Sequence, residues 1–510
     1  MELSKALHLK IKVKMRYKNT FIRLEQELFN RLEDSVNEYN KHYAPTDKNK
    51  ISMDKAVFLI YYIRLKKFQN QDKLINGYVR LHSEILNNYL NDELKKYRIF
   101  LTTKDYIKTI PYCVDEKKSR GYKVLPLAKK EASKKRKYIS YEFINRSYED
   151  FLNKKIDKTE RLTKRKKAAD RSTQHLTKWL NQDNIKIDWE SAYKWIEENK
   201  VLKDEQKFFY SFAVEKIRFE IWHYSRSGND NRLHSNLTNL PSDLRQFVSI
   251  DGSSLVSLDI RSSQPYILAG ILNLLIIDKN RLIKLVNIIK CKRVKDRLLS
   301  LMNLTSLKTS TIIDFKAYIN LICETDIYQY VADKLSDDFV DSIKSESKEK
   351  PFKDAILNTA TNKTETKGFK SLRAYCKTLT LEYLYCSIEN SLERIKQIRT
   401  IYPKAVNKFI HDFKYCKALE VPKHKRTKRQ RAKIVTSKKL FPKFLQQLEA
   451  GILLDTITKE LSKLYPKMFI ATIHDSIIVP VKYKNEIKNY LEKRLFEIFG
   501  IEAKIKVEPW

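Results

Sequence analysis

The chain has 510 residues, 42% of them hydrophobic, and sets 101 Lys and Arg against 62 Asp and Glu for a formal charge of +39. That apolar share supports packed cores and excludes a disordered chain. The charge implies a polyanionic partner, nucleic acid ahead of an acidic membrane surface, because no basic amphipathic anchor or lipidation motif is present.

The start, Met1-Glu-Leu-Ser-Lys, lacks a signal-peptide core, and no apolar run is long enough to span a bilayer. Six cysteines without a C-x-x-C pair argue against a zinc site or a disulfide framework and fit a reducing, cytoplasmic setting. Only eight glycines occur, which excludes phosphate loops of the Walker or dinucleotide type.

In chain order, residues 6–17 alternate apolar and basic, predicting a half-buried strand. Residues 20–100 read as helices, as in Phe58-Leu-Ile-Tyr-Tyr-Ile-Arg-Leu. From Lys117 to Arg171 basic runs alternate with Tyr138, Tyr141, Phe143, Tyr148 and Phe151, a mixture suited to helices gripping a phosphate backbone. Residues 172–225 read as paired helices. A strand signal follows at Ser254–Ile260, then helical pattern over 266–460, broken by a basic stretch from Pro422 to Lys433. A helix over 483–499 and a strand from Ala503 to Glu508 close the chain.

Near the C-terminus Met468-Phe-Ile-Ala-Thr-Ile-His474-Asp475-Ser476-Ile-Ile-Val-Pro-Val481 predicts two strands meeting at a tight turn with a carboxylate at its tip. Such a carboxylate calls for a cation beside it, and a metal ion is the usual one. A partner lies far upstream. Asp259 ends the strand Ser254–Ile260, and Ser263 or Gln264 can cap a following helix with Pro265 in its first turn. Two strand-end carboxylates can hold two divalent ions about 3.5–4 Å apart, the arrangement that serves in-line phosphoryl transfer. A second His-Asp, His411-Asp412, lacks strand flanks and reads as helix surface.

Together these segments resemble the catalytic motifs of the family A DNA polymerases and the single-subunit phage-type RNA polymerases. Leu258-Asp259-Ile-Arg-Ser-Ser-Gln264-Pro265 is similar to motif A and Ile473-His474-Asp475-Ser476 to motif C. Arg232-Leu-His-Ser235, followed by Arg245, resembles the segment that contacts the primer duplex. Leu445-Gln446-Gln447-Leu-Glu449-Ala-Gly451 resembles the Gln-rich helix that supports it. Motif B needs a Lys for the incoming triphosphate, an Arg four residues before it and a Tyr-Gly beyond. The nearest segment, Lys350 to Asn362, offers Lys353 on a helix face shared with Leu357 and Thr361, but has Glu349 in place of the Arg and Thr361-Asn362 in place of Tyr-Gly. Lys363, Lys367 and Lys370 are the alternatives.

The resemblance implies an α+β, mostly helical right hand of palm, fingers and thumb, with a small antiparallel palm sheet and an extra N-terminal basic region. The expected layout is the N-terminal region over 1–160 and thumb-like helices with the duplex-contact segment over 161–245. The palm occupies 246–272 and 440–510, and the fingers 273–439. The implied activity is template-directed DNA synthesis from a primer 3′-OH, in a phage or mobile element. Two Mg²⁺ (or Mn²⁺) lie on Asp259, Asp475 and the Ile260 carbonyl, with Lys353 as the catalytic and nucleotide-binding lysine. Arg232, Arg245, Gln447 and His474 face primer-template DNA or RNA, and Gln264, where DNA-making members carry Glu, selects dNTPs. A polymerase or primase using NTPs is the first alternative. A non-catalytic nucleic-acid-binding protein with a degenerate polymerase fold is the second.

Overall fold

The structure, a computed structural model, describes residues 22–69, 74, 76–112, 119–125, 138–157, 160–181, 184–218, 220, 222–226, 228, 230–304, 308–358 and 363–510. The alternating stretch 6–17, the basic run 134–137 and Thr361-Asn362 lie outside them. The fold is α+β, mostly helical with small antiparallel sheets. It divides into two units, Met1–Ala168 with Leu180–Ser225 and Ser235–Gly252, and Ala169–Trp179 with Arg226–His234 and Ser253–Trp510. No helix among the described residues is long and apolar enough to cross a membrane.

The first unit is built on the helix Met53–Gln69, apolar nearly all round from Ala56 to Ile63 and buried accordingly. The strands Ile22–Glu25 and Tyr138–Tyr141 pair antiparallel, and Val79–Arg80, Gly121–Val124 and Ile107–Ile110 form a three-stranded sheet. Tyr141, Phe143 and Tyr148 are buried in this core, and Phe151 packs against it. The expectation of helices across this stretch is corrected at Tyr138–Tyr141, which is a strand. The rings fill a core, and the backbone turns through strand and loop here before the helix Arg146–Asp157. Buried Asp54 fixes that turn by accepting from Tyr141 Oη (2.6 Å), Ile144 N (2.9 Å) and Asn145 N (2.8 Å).

In the second unit the strand Ser253–Ile260 lies between two antiparallel neighbours, Ser476–Pro480 on one side and Ile505–Pro509 on the other. Ala471–Ile473 pairs with Ser476–Pro480 as a hairpin whose turn is His474-Asp475. The predicted hairpin, the Asp259 strand and the terminal strand thus join one sheet. Beneath it runs the helix Ser263–Ile277, in which Ser263 through Leu272, Leu274 and Leu275 are all buried. At roughly 1.5–3 kcal/mol per large apolar side chain, this helix is the main hydrophobic anchor of the unit. Gly270 lets it approach the helix Lys484–Phe499: a methyl group there would run into the Phe499 ring. Gly270→Ala is expected to cost about 1–3 kcal/mol by overpacking, read as a lower urea midpoint at unchanged slope.

Two expected elements differ. Residues Phe352–Asn358 and Lys363–Phe369 form an antiparallel ribbon instead of the motif B helix. Pro351 disfavours helix at Lys350, and the alternation of exposed Lys353 and Ala355 with buried Ile356 has period two. Thr364 and Thr366 supply β-branched partners across the ladder. The basic stretch after Pro422 is not a break throughout, because Lys428–Lys438 is a helix. Its start is a capping box: Gln430 N donates to Thr427 Oγ1 (3.2 Å) and Thr427 N to Gln430 Oε1 (2.8 Å). His411-Asp412 lies in the helix Lys404–Lys414, as expected.

Candidate active site

The sheet register brings the two acids together. Asp259 stands opposite Ser476, so Asp475 at the turn is its diagonal neighbour, with adjacent Cα atoms about 5 Å apart across such a pair. Val256, Leu258 and Ile260 send their side chains into the core, which leaves Asp259 on the opposite face. Burial, and next the Asp475 carboxylate, push Asp259 up to about 7; Glu508 adds to this, while Lys377 and Lys506 oppose it. Backbone strain brackets the pair. His474, just before Asp475, has φ 53°, and Ser262, in the turn after Asp259, has φ 51°. Neither is glycine, and left-handed backbone costs such residues roughly 1–2 kcal/mol.

A carboxylate raised by burial and by a second carboxylate beside it fits a divalent cation, which would relieve the repulsion that protonation otherwise must relieve. Asp259 and Asp475 would hold it. Ile260, whose carbonyl the resemblance adds, follows Asp259 in its strand and stands opposite Ile505 of the neighbouring strand. Among the described residues no group of three or more His, Cys, Asp or Glu side chains forms a metal-binding cluster.

Around the acids stand three polar assemblies. The first is a buried ion pair. Arg232 Nε donates to Glu449 Oε1 at 3.0 Å, its Nη2 contacts the same oxygen, and Ser263 Oγ donates to Oε2 at 2.8 Å. Burial pushes Glu449 up to about 7 against the pull of Arg232. Burial also works against the Arg232 charge, yet Glu449 more than offsets it and the guanidinium is held above its ordinary range. We read the two as an ion pair, because a neutral acid would leave the guanidinium buried without a counter-charge. Arg232→Ala would strand Glu449, which is 1% exposed, and is expected to destabilise the fold by roughly 3–5 kcal/mol. Thermal melting beside Glu449→Gln, where an amide still meets the arginine, checks this.

The second assembly centres on Tyr385, at the end of the helix Leu372–Tyr385. Its hydroxyl accepts from Gln264 Nε2 (3.1 Å) and Gln446 Nε2 (2.7 Å). The buried Gln264 Oε1 has no partner among the described residues. The same helix brings Lys377 close enough to act on Asp259. In the third, Asp326 accepts from Arg261 Nη2 (2.7 Å) and Arg373 Nε (2.8 Å), tying the turn after Asp259 to that helix. Tyr328 lies close by; burial first, and then Asp475, push its phenol up to about 12.

The remaining expected residues are placed as follows. His474 is exposed beside His234, with ring centres 6.5 Å apart. Desolvation and the Arg232 charge lower its imidazole pKa, which keeps it neutral at pH 7. Gln447 is buried and its Oε1 accepts from Cys291 N (3.1 Å), so the glutamine facing the Tyr385 assembly is Gln446. Arg245 lies on the short 3₁₀ helix Ser242–Phe247 of the first unit. Lys353 is exposed on the ribbon, and the lysines that act on Asp259 are Lys377 and its cross-strand neighbour Lys506. The sequence did carry a signal for Lys377: Arg373 stands four before it, and Tyr385 eight after, all on one helix.

The helix carrying Gln446 and Glu449 is itself irregular. Leu440–Ala450 and Thr458–Leu464 are α-helical, and Gly451–Ile457 between them is a π-helical turn. Asp455, within that turn, takes a bidentate pair from buried Arg226 (2.5 and 2.7 Å). Segment 226–234 is thus fastened to this helix at two points, Arg226–Asp455 and Arg232–Glu449.

Searches against protein-family models and against curated proteins returned no match to this chain.

Proposed function

We propose that the protein is a template-directed nucleotidyltransferase that extends a primer 3′-OH, with DNA synthesis as its activity. The observation that carries this reading is the meeting of Asp259 and Asp475, from distant parts of the chain, with Lys377 beside them. The spacing Arg373-x3-Lys377, with Tyr385 beyond, also answers what motif B asks and what Lys353 did not. Cys386 stands where a glycine follows the tyrosine in the usual form.

In this reading Asp259 and Asp475 hold divalent ions that, when bound, neutralise charge on the triphosphate and the attacking oxygen. Lys377 binds the incoming phosphates as a compact point charge. Tyr385 and Gln264 form the floor under the nucleotide sugar, with the unpartnered Gln264 carbonyl oxygen directed at selection between deoxyribose and ribose. Neutral His474 lies by the primer end. The +39 charge holds the nucleic-acid backbone without reading sequence.

The departure from motif B, with Cys386 where a glycine follows the tyrosine, is the observation that favours the non-catalytic nucleic-acid-binding reading. Primer extension on a defined template, with dNTPs and with NTPs in Mg²⁺ or Mn²⁺, decides among these. Product with dNTPs supports the proposal, product with NTPs alone moves it to RNA synthesis, and no product with either sinks both enzyme readings.

A further inference from the structure

Away from the acids, a cavity of about 420 Å³ opens between the end of the Lys377 helix, the helix Glu393–Ile401 and the helix Lys404–Lys414. Its walls include Tyr383, Cys386, Arg399, Asn407, His411 and Lys414. Lys414 is 3% exposed, yet among the described residues no carboxylate meets it. Its Nζ donates to the carbonyls of Tyr383 (3.0 Å) and Cys386 (3.1 Å), which uses two of its three protons. Arg399 is half-buried nearby and gives one donor to the Ile388 carbonyl (3.0 Å), and it too makes no ion pair among the described residues. The one carboxylate in the wall, Asp412, is already taken by Lys408 (2.8 Å) and His411 (3.2 Å). Glu382, on the same helix as Tyr383, is held by Arg394 through two bonds of 2.9 Å.

Two cations at one cavity without a counter-charge are costly to bury unless something anionic joins them. Burial, with Arg399 adding to it, pushes the Lys414 amine down to about 8, the direction expected of a charge whose partner is missing. The lining also includes the apolar side chains of Tyr383, Ile388 and Ile410. The volume lies within the range of small-molecule sites, roughly 300–1,000 Å³.

We propose that this cavity binds a small phosphate monoester of nucleoside-monophosphate size, its phosphate between Arg399 and Lys414 and its uncharged part against Tyr383 and Ile410. The site is separate from the proposed polymerase centre and does not depend on it.

Calorimetric titration of the full chain with AMP, in EDTA so that divalent ions play no part, tests this, with adenosine and orthophosphate as parallel probes. AMP is expected to bind with a stoichiometry of one, and adenosine not to bind. Arg399→Gln and Lys414→Met should each weaken AMP by about tenfold or more. Lys433→Gln, which removes an exposed charge outside the cavity, should leave the affinity unchanged. Lys414→Met keeps the stem volume and removes a buried charge, so it should fold; if it does not, Arg399→Gln alone decides. Absence of AMP binding at roughly millimolar concentrations overturns the proposal. So does equal weakening by Lys433→Gln, which would mark attraction to the basic surface at large, and so does binding indifferent to both cavity variants. Orthophosphate binding as tightly as AMP would overturn the assignment of the apolar lining.

Discussion

Asp259→Asn is expected to abolish primer extension, by on the order of a thousandfold or more, and at the same time to make the metal-free protein more stable. Most substitutions destabilise, so the second sign is diagnostic. Its origin is the raised pKa of Asp259, about 7 in the fold against an ordinary 3.8. Between those values the folded state holds a proton that the unfolded chain has released, so stability falls as pH rises through that window. Below it the penalty is absent, and above about 7 it is complete. The residue is partly exposed and solvent screens the repulsion, so the gain is on the order of 1 kcal/mol. In metal-free buffer the melting temperatures of wild type and Asp259→Asn should therefore converge near pH 4 and separate by pH 7.5. Mg²⁺ should raise the wild-type melting temperature through preferential binding to the fold and leave the variant nearly unmoved. Equal Mg²⁺ stabilisation of both proteins would remove the metal site from these two acids, whatever the activity shows.

Lys377→Ala is expected to lower the rate of nucleotide addition by about 10²–10³, with a raised KM for the nucleotide and primer-template affinity nearly unchanged. Lys353→Ala should change nucleotide addition little. The pair of variants separates a lysine at the acids from one exposed on a ribbon strand. Lys377→Arg is a sharper probe, since a guanidinium keeps the charge but replaces a compact ammonium by a planar fork. Partial rescue by Arg would mean that charge is what the nucleotide meets. Full activity in Lys377→Ala would refute a fingers role for this helix.

The contrast between those lysines marks where the sequence was legible. The hairpin at His474-Asp475 and the strand ending at Asp259 were readable because β-branched runs and turn positions act locally, and the pairing of the two strands follows from burial of Leu258 against Ile477. The helix Ser263–Ile277 was readable because it is apolar throughout. The Lys353 segment misled because Lys353, Leu357 and Thr361 fall at helical spacing, whereas exposed Lys353 and Ala355 against buried Ile356 obey the period of a strand. Pairing with Lys363–Phe369, a tertiary fact, outweighed local propensity. The strand at Tyr138–Tyr141 was missed for a related reason: basic neighbours disguise a core segment when the rings alone point inward. Least visible were Glu449 and Asp326. Each is one acid among 62, and its meaning lies in which arginine the fold brings to it.

The wide turn at Gly451–Ile457 makes the helix 440–464 two rods out of phase with one another. An α-helix advances each residue by about 100°, and a stretch with an i→i+5 pattern advances by less, so the face set by Glu449 is not the face that an unbroken helix would give Asp455. Deleting one residue from the turn would restore a regular rod. It would leave the downstream rod in nearly its present phase, because the wide turn absorbs about one residue's rotation, whereas straightening the turn with its residues kept would carry Asp455 round by that angle and away from Arg226. The irregularity works as a spacer in angle rather than in length, setting two anchor points on one short segment from a single continuous helix.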